Sequence, residues 1–356
     1  MKKYVVFSLL ILIGVYVART MFTKQSLQPL PVQKPRPTVV QTQIFQPVKQ
    51  ERILFVPYWT LTSWDNQSDY DSFIYFGIAP NEIGINTSDP GFADIPRYID
   101  HISPSKTLLG VRMTDKIFNE KVLNSATLQQ QIISDALHIS KQDGFKGILL
   151  DFEVGGIGFD SLTQQVTGFI TEFAQAAKRQ ESQFSVAMYG DVYYRARPYN
   201  IKTIAENSDK IIVMAYDFHK AAGDPGPNFP FEESAVDGYS FQQMISDFSQ
   251  DVPKNKLTIT FGMFGYDWPV TEKGASIDTA TSMSLSDIQS SFITTCKFSS
   301  CVLRRNVSGE PSISYTDTDR QKHIVWFEDT MSTDKKIHYL QTKGIGSIAF
   351  WANSYF

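Results

Sequence analysis

A chain of 356 residues, 42% hydrophobic and 13% aromatic, is long enough for one large domain or two ordinary ones and can bury a sizeable core. Its 33 Lys and Arg against 37 Asp and Glu leave a net charge of −4, and no basic run rises above the background. A phosphate-binding surface needs a basic patch, so nucleic acid is excluded as an expected partner.

The N-terminus differs in kind from the rest of the chain. Lys2 and Lys3 precede the apolar run Tyr4–Ala18, and Arg19 comes directly after it. That run is shorter than the roughly 20 residues of a spanning helix, and extending it through Met21 and Phe22 includes Arg19, which can snorkel. A secretory signal cut after Ala18 would place bulky Tyr16 where a small residue is wanted. Residues 1–22 therefore read as a signal or membrane anchor, uncleaved in preference to cleaved. Either form exports the remainder and leaves Lys2 and Lys3 on the cytoplasmic side, which predicts an extracytoplasmic protein, membrane-anchored or secreted. Residues 23–50 are rich in Pro and Gln with little periodicity, the composition of a mobile linker holding a folded domain away from a membrane.

From residue 51 onward, short β-rich runs alternate with helical patterns. The expected strands are 52–59, 72–80, 107–113, 147–153, 184–190, 210–217, 257–266 and 345–352. Helices are expected over "SATLQQQIISDALHISKQDG" and "SLTQQVTGFITEFAQAAKRQES"; in the second, Leu162, Val166, Phe169, Ile170 and Phe173 share one face. Eight strands with intervening helices predict an α/β fold of the (β/α)8 TIM-barrel type over 51–356. An open doubly wound sheet would bring a Gly-rich loop after the first strand, and "PYWTLTSWDN" has no glycine. Residues of about 270–325 are too long for a loop and read as a small α+β insertion between strands 7 and 8, with "SISYTD" and "KHIVWFED" as strands. The eighth strand lies close to Phe356, so the usual last helix is expected to be absent or replaced. Cys296 and Cys301 in "CKFSSC" predict a disulfide in an exported chain; a zinc site would need further ligands, and His323 alone does not supply them.

The fourth expected strand, "GFKGILLDFEVGG", carries two acids. Alternate residues of a strand face opposite sides, so Ile148, Leu150 and Phe152 would face the helices, and Leu149, Asp151 and Glu153 the barrel interior. The acids then sit at the carboxyl end, where barrels of this kind build active sites, about 6–7 Å apart along the chain. Two like charges in a poorly solvated site do not both ionise easily, so one pKa rises, and a protonated carboxyl can donate to a glycosidic oxygen. From spacing alone, two solvated acids at a strand end, or acids in salt bridges, account for the pattern equally well.

The segment "GFKGILLDFE" resembles the fourth-strand motif D-G-x-D-x-D-x-E of glycoside hydrolase family 18, the chitinase-like enzymes. Three further segments match in barrel order: "VMAYD" (213–217) resembles the M-x-Y-D motif, "FGMFGYDWPV" (261–270) the seventh-strand segment, and "VWFEDTMSTDKKIHYLQTKGIGSIAFW" (325–351) the last helix and strand. The resemblance covers nearly all of 51–356 and is strongest to the branch containing spore-germination and cortex-lytic N-acetylglucosaminidases. It implies Glu153 as proton donor, Asp151 as the acid steering the substrate's acetamido group, and Tyr216 as hydrogen-bond donor to the acetamido carbonyl. Asp217 and Trp351 would bind sugar, with Met214 of the same M-x-Y-D motif. Tyr58 and Tyr266, near strand ends, are expected to touch substrate, with core packing the competing reading for these and for Trp59, Tyr189 and Trp268. Lys146 and Leu149 depart from the motif, standing where many members carry its first two aspartates.

The activity so implied is hydrolysis of β-linked N-acetylglucosamine-containing glycans, chitin-type or peptidoglycan, by substrate-assisted retention, with no cofactor and no metal. The expected partner is an amino-sugar polysaccharide or oligosaccharide, the membrane contact is through the N-terminal segment, and the expected state is a monomer. A lectin-like barrel that binds amino sugars without cleaving them is the alternative, and the presence of Glu153 favours catalysis.

Overall fold

In a computed structural model, which describes residues 49–64, 67–233, 237–305 and 309–356, the predicted alternation closes on itself. Eight parallel strands form a closed barrel in chain order: Glu51–Pro57, Ser72–Ile78, Thr107–Met113, Gly147–Phe152, Gln183–Tyr189, Lys210–Met214, Leu257–Gly262 and Ser347–Trp351. Parallel strands need long crossovers, and helices such as Ala126–Gln142 and Asp160–Arg179 supply them. Ser125 caps the first of these by accepting from the Leu128 amide.

The two faces of the fourth strand divide as their sequence predicts. Ile148, Leu150 and Phe152 join the core between strands and helices, where the Phe152 ring meets Phe169 edge-on at 5.0 Å. Leu149 faces inward with Ile53, Phe55, Ile74, Phe76, Leu108 and Ile212. That apolar layer is the floor on which the site stands, and each fully buried side chain of this kind contributes about 1.5–3 kcal/mol.

The seventh strand is shorter than expected. It ends at Gly262, and Phe264–Val270 instead opens a separate five-stranded antiparallel sheet with Thr281–Ser284, Ser299–Arg305, Pro311–Thr316 and Lys322–Phe327. The apolar run is continuous in sequence, so hydropathy gave no sign of the break. Gly262 does: a Cβ there would lie 2.5 Å from the Phe264 ring and 2.9 Å from Tyr216 Cβ. The insertion sheet thus starts six residues earlier than its expected boundary of about 270 and includes both later strands that were expected. Cys296 and Cys301, inside it, are disulfide-bonded with Cα atoms 5.9 Å apart.

A capping box at Asp329 starts the helix Thr330–Thr342, which returns the chain to the barrel. Lys336 on this helix is completely buried and donates to Glu310 at 2.6 Å and to Glu328, both also completely buried. The apolar segment Tyr4–Ala18 and nearly all of the 23–50 linker lie outside the described residues. Among the described residues no helix is long and apolar enough to cross a membrane. The described residues fall within one compact unit, Gln46–Phe356.

Candidate active site

At the carboxyl end of the barrel a cavity of about 360 Å³ is lined by Asp151, Glu153, Met214, Tyr216, Asp217, Tyr266 and Trp351. Seven of the eight expected substrate-facing or catalytic side chains therefore meet in one place, contributed by barrel strands or their ends and by the insertion. Asp151, 4% exposed, sits directly above Leu149, and its Oδ1 has no hydrogen-bond partner among the described residues. Burial, reinforced by the negative charge of Glu153, pushes its carboxyl well above the usual carboxylate range, with Arg112 pulling the other way.

Glu153 follows the strand, and its backbone is held on every side. Its amide donates to Met113 O at 2.8 Å. Asn119, fully buried, donates through Nδ2 to both Glu153 O at 2.7 Å and Met113 O at 2.6 Å. The Tyr199 hydroxyl bridges the residues on either side, donating to Phe152 O at 2.8 Å and accepting from Val154 N at 2.7 Å. The side chain is oriented by Tyr189, whose hydroxyl donates to Glu153 Oε2 at 2.6 Å. Burial and the adjacent Glu153 charge hold the Tyr189 phenol far above its ordinary pKa, so it stays a donor. The Arg197 guanidinium lies over the Tyr189 ring at 3.9 Å and is clamped by Asp191 through two hydrogen bonds of 2.7 and 2.9 Å.

Tyr216 and Asp217 leave the end of the sixth strand. Burial, with Asp151 adding to it, keeps the Tyr216 phenol protonated. Asp217 takes a left-handed backbone conformation, φ 58°, in which the chain turns sharply. The turn is held by Asn228, whose Oδ1 accepts from Asp217 N at 2.8 Å, and by Tyr266, whose hydroxyl donates to Asp217 Oδ1 at 2.7 Å. Asn228 is tied in turn to the buried Glu310, which accepts from Asn228 N at 2.5 Å and Phe229 N at 2.8 Å.

The aromatic wall corrects one expectation. Tyr58 does not line the cavity; Trp59 does. On the first strand Ile53 and Phe55 face the barrel interior and Leu54 and Val56 the helix side, so Tyr58 shares the outward parity; the strand ends at Pro57 and Tyr58–Thr60 form a single 3-10 turn. Tyr58 packs instead beneath Arg112, whose guanidinium carbon is 4.9 Å from the ring centre. Trp351 stands beside Trp59, 6.2 Å between ring centres, and lies 5.0 Å from Phe76 and 5.5 Å from Phe55. Trp268 is completely buried in the insertion, away from the cavity.

The two departures from the fourth-strand motif separate in space. Leu149 leaves an apolar surface under Asp151, whereas Lys146 precedes the strand and lines a different cavity with Glu51 and Lys210 at the amino end of the barrel. Sequence reading missed Asn119, Tyr199 and Arg112, and left Tyr189 undecided. Only Tyr189 carried a usable signal, an aromatic residue at the carboxyl end of a strand adjacent to the acids. Among the described residues no group of three or more His, Cys, Asp or Glu side chains is arranged to hold a metal ion.

The model of the glycosyl hydrolases family 18 matches residues 114–355. The cortical fragment-lytic enzyme of Bacillus subtilis (strain 168) is 21% identical over 243 residues, 65% of this chain and 51% of that protein. A class V chitinase of Arabidopsis thaliana is 20% identical over 340 residues, 85% of this chain and 86% of that protein. The chain spans 51–64% of the length of the Bacillus subtilis relatives it matches. Among solved structures, the Cycas revoluta chitinase in complex with (GlcNAc)3 superposes with a TM-score of 0.70 at 19% identity, covering 85% of this chain and 94% of that one. The Bacillus cereus spore cortex-lytic enzyme SleL gives 0.68 at 17% identity, covering 87% and 72%.

Proposed function

We propose that this chain, which belongs to the glycosyl hydrolases family 18, is a glycoside hydrolase that cleaves β-linked N-acetylglucosamine-containing glycans with substrate-assisted retention, a reading supported by the chemistry of its cavity. The observation that carries this reading is the grouping of Glu153, Tyr216 and Asp151, whose Oδ1 has no hydrogen-bond partner among the described residues, around one cavity. Glu153, steadied by Tyr189, protonates the glycosidic oxygen. The substrate's acetamido oxygen attacks the anomeric carbon from the other face, breaking the bond to the leaving sugar and forming a cyclic oxazolinium ion. Asp151 meets the acetamido N–H, and the Tyr216 hydroxyl meets its carbonyl oxygen; both orient the attacking group and stabilise the charge that develops on it. Glu153, now a carboxylate, takes a proton from water as that water opens the oxazolinium, and the anomeric configuration is retained. Asp217, Met214, Tyr266 and Trp351 hold the sugar, with Trp351 as an apolar platform beneath it.

The names of the relatives, a cortical fragment-lytic enzyme and chitinases, favour peptidoglycan or chitin-type glycans as substrate. The basic-then-apolar N-terminus and the Pro/Gln-rich stretch after it support an exported enzyme, anchored or secreted, acting as a monomer on glycans outside the cytoplasm. One feature favours the binding-only alternative: Leu149 gives Asp151 no carboxyl neighbour below. The test is incubation of the protein with N-acetylglucosamine oligomers and with purified peptidoglycan, with products identified by mass spectrometry. Shortened, β-configured products are expected. Binding to these glycans with no product at any pH would replace the hydrolytic reading with the binding one.

A further inference from the structure

Cleavage of a neutral amino sugar requires no cation beside its acids, yet Arg112 and Lys220 both line this cavity. Arg112 stands on the third strand in register with Asp151 on the fourth, so the two side chains leave the sheet on the same side. Its guanidinium is fixed from three directions. Nε donates to Gly77 O at 3.1 Å, Nη2 donates to Asp89 Oδ1 at 2.7 Å, and the Tyr58 ring lies 4.9 Å away. Nη1 has no partner among the described residues. A guanidinium so held has lost its rotational freedom already and presents one unused edge of its planar fork, the geometry that suits a carboxylate.

The surrounding charges leave that edge available. Asp191 is taken up by Arg195 and Arg197, and Asp217 is hydrogen-bonded by Tyr266. Asp151, in register beside Arg112, forms no ion pair or hydrogen bond with it, and Asp89 engages only the Nη2 edge of the guanidinium. The Lys220 side chain forms no ion pair or hydrogen bond among the described residues; its ammonium lies 5.6 Å from the Tyr189 ring centre. Burial and the nearby Arg197 both disfavour its charge. Two cations facing one cavity, at a cost in desolvation and against the need to keep protons on the acids, fit a substrate that carries negative charge.

Resting on the hydrolytic reading above, we propose that Arg112 selects amino-sugar glycans bearing a carboxylate on or beside the sugar at the cleavage point, with Lys220 as a second cation. A 3-O-lactyl ether of N-acetylglucosamine is the simplest member of that class, and unsubstituted chitin-type chains are the disfavoured one. The alternative account of Arg112 is a strut that ties the third strand to the Gly77–Asp89 segment.

The deciding measurement is calorimetric binding to full-length Glu153→Gln protein of two tetrasaccharides that differ only in a lactyl carboxylate against its neutral methylamide. The carboxylate form is expected to bind about tenfold tighter. Arg112→Gln should bring the ratio to within about twofold, and Arg112→Lys should keep part of it. Equal affinities with Arg112 in place, or a parallel loss for both sugars in Arg112→Gln, would overturn the proposal, since a strut does not move the ratio. Should Arg112→Gln not fold, the ratio in the Glu153→Gln parent and its decline in Lys220→Gln decide the matter. Hydrolysis of the same pair by the unsubstituted protein is scored separately. Turnover with a ratio of one sinks the charge selection alone, and a large ratio without turnover sinks the hydrolytic reading alone.

Discussion

Replacing Lys336 by Met tests how the insertion supports the active site. Lys336, Glu310 and Glu328 have no exposed surface, and one ammonium serves two carboxylates. The arrangement is short of positive charge, and burial, with the like charge of Glu328, pushes Glu310 up to about 8 despite the pull of Lys336. Removing one partner from a buried ion pair costs about 3–5 kcal/mol, because the other is left uncompensated. At roughly 2–4 °C per kcal/mol for a domain of this size, the midpoint of thermal unfolding should fall by about 6–20 °C. The loss should be greater at alkaline than at acid pH. A carboxyl whose folded pKa lies above its unfolded one contributes stability below the ordinary carboxylate range and loses it as pH rises through the folded value. Damage should also reach the cavity, since Glu310 holds Asn228, and Asn228 holds the Asp217 amide. Thermal unfolding followed by circular dichroism at two pH values, with hydrolysis assayed at low temperature, reads both effects. A midpoint unchanged within about 2 °C at both pH values, or raised as when apolar side chains replace a buried ionic cluster, would refute this account of the network.

Four further outcomes concern the acids and the tyrosine that orients Glu153. Glu153→Gln should retain sugar binding while losing nearly all hydrolysis; turnover at the native rate would rule out Glu153 as proton donor. Asp151→Asn should lower kcat by about 100-fold or more, the scale of a lost preorganised charge-stabilising group, and native turnover would refute the steering role. The same variant should unfold at a higher temperature than the native protein near pH 8, with the difference gone by about pH 4, because the raised Asp151 pKa makes ionisation destabilising only above the usual carboxylate range. Tyr189→Phe removes a hydrogen bond to a charged acceptor, worth about 1.5–3 kcal/mol, so kcat should fall about tenfold or more with a smaller change in KM; equal changes in both would make Tyr189 a packing residue.

The barrel was legible because strand alternation is a local property. Ile148, Leu150 and Phe152 against Leu149 and Asp151 already state which side faces which layer, and the closed barrel places both rows accordingly. Legibility ended where the period changed without a change in hydropathy. The apolar run through Gly262 concealed the start of the insertion sheet; Trp59 in place of Tyr58 in the cavity, by contrast, agrees with the inward parity of Ile53 and Phe55. The supporting groups were hidden for another reason. Asn119 and Tyr199 reach Glu153 and its neighbours from 34 and 45–47 residues away, and Glu310 reaches Asn228 from 82. No periodicity in one chain encodes a pairing at such distances.

Leu149 ties the packing of the barrel to its chemistry. In the row Leu149, Asp151, Glu153, the lowest position is apolar, so Asp151 rests on a layer that offers it no hydrogen bond. A carboxyl in that position would have shared a proton with Asp151 and supplied negative charge beneath it. Leu149 supplies neither, and the rise in the Asp151 pKa comes from desolvation first and the Glu153 charge second. Desolvation by a packed apolar layer does not depend on a second titrating group, so the protonation of Asp151 is set by Glu153 above, Arg112 beside it and burial below. The apolar layer that fills the barrel centre thereby also determines the charge state in which the acid meets an acetamido group.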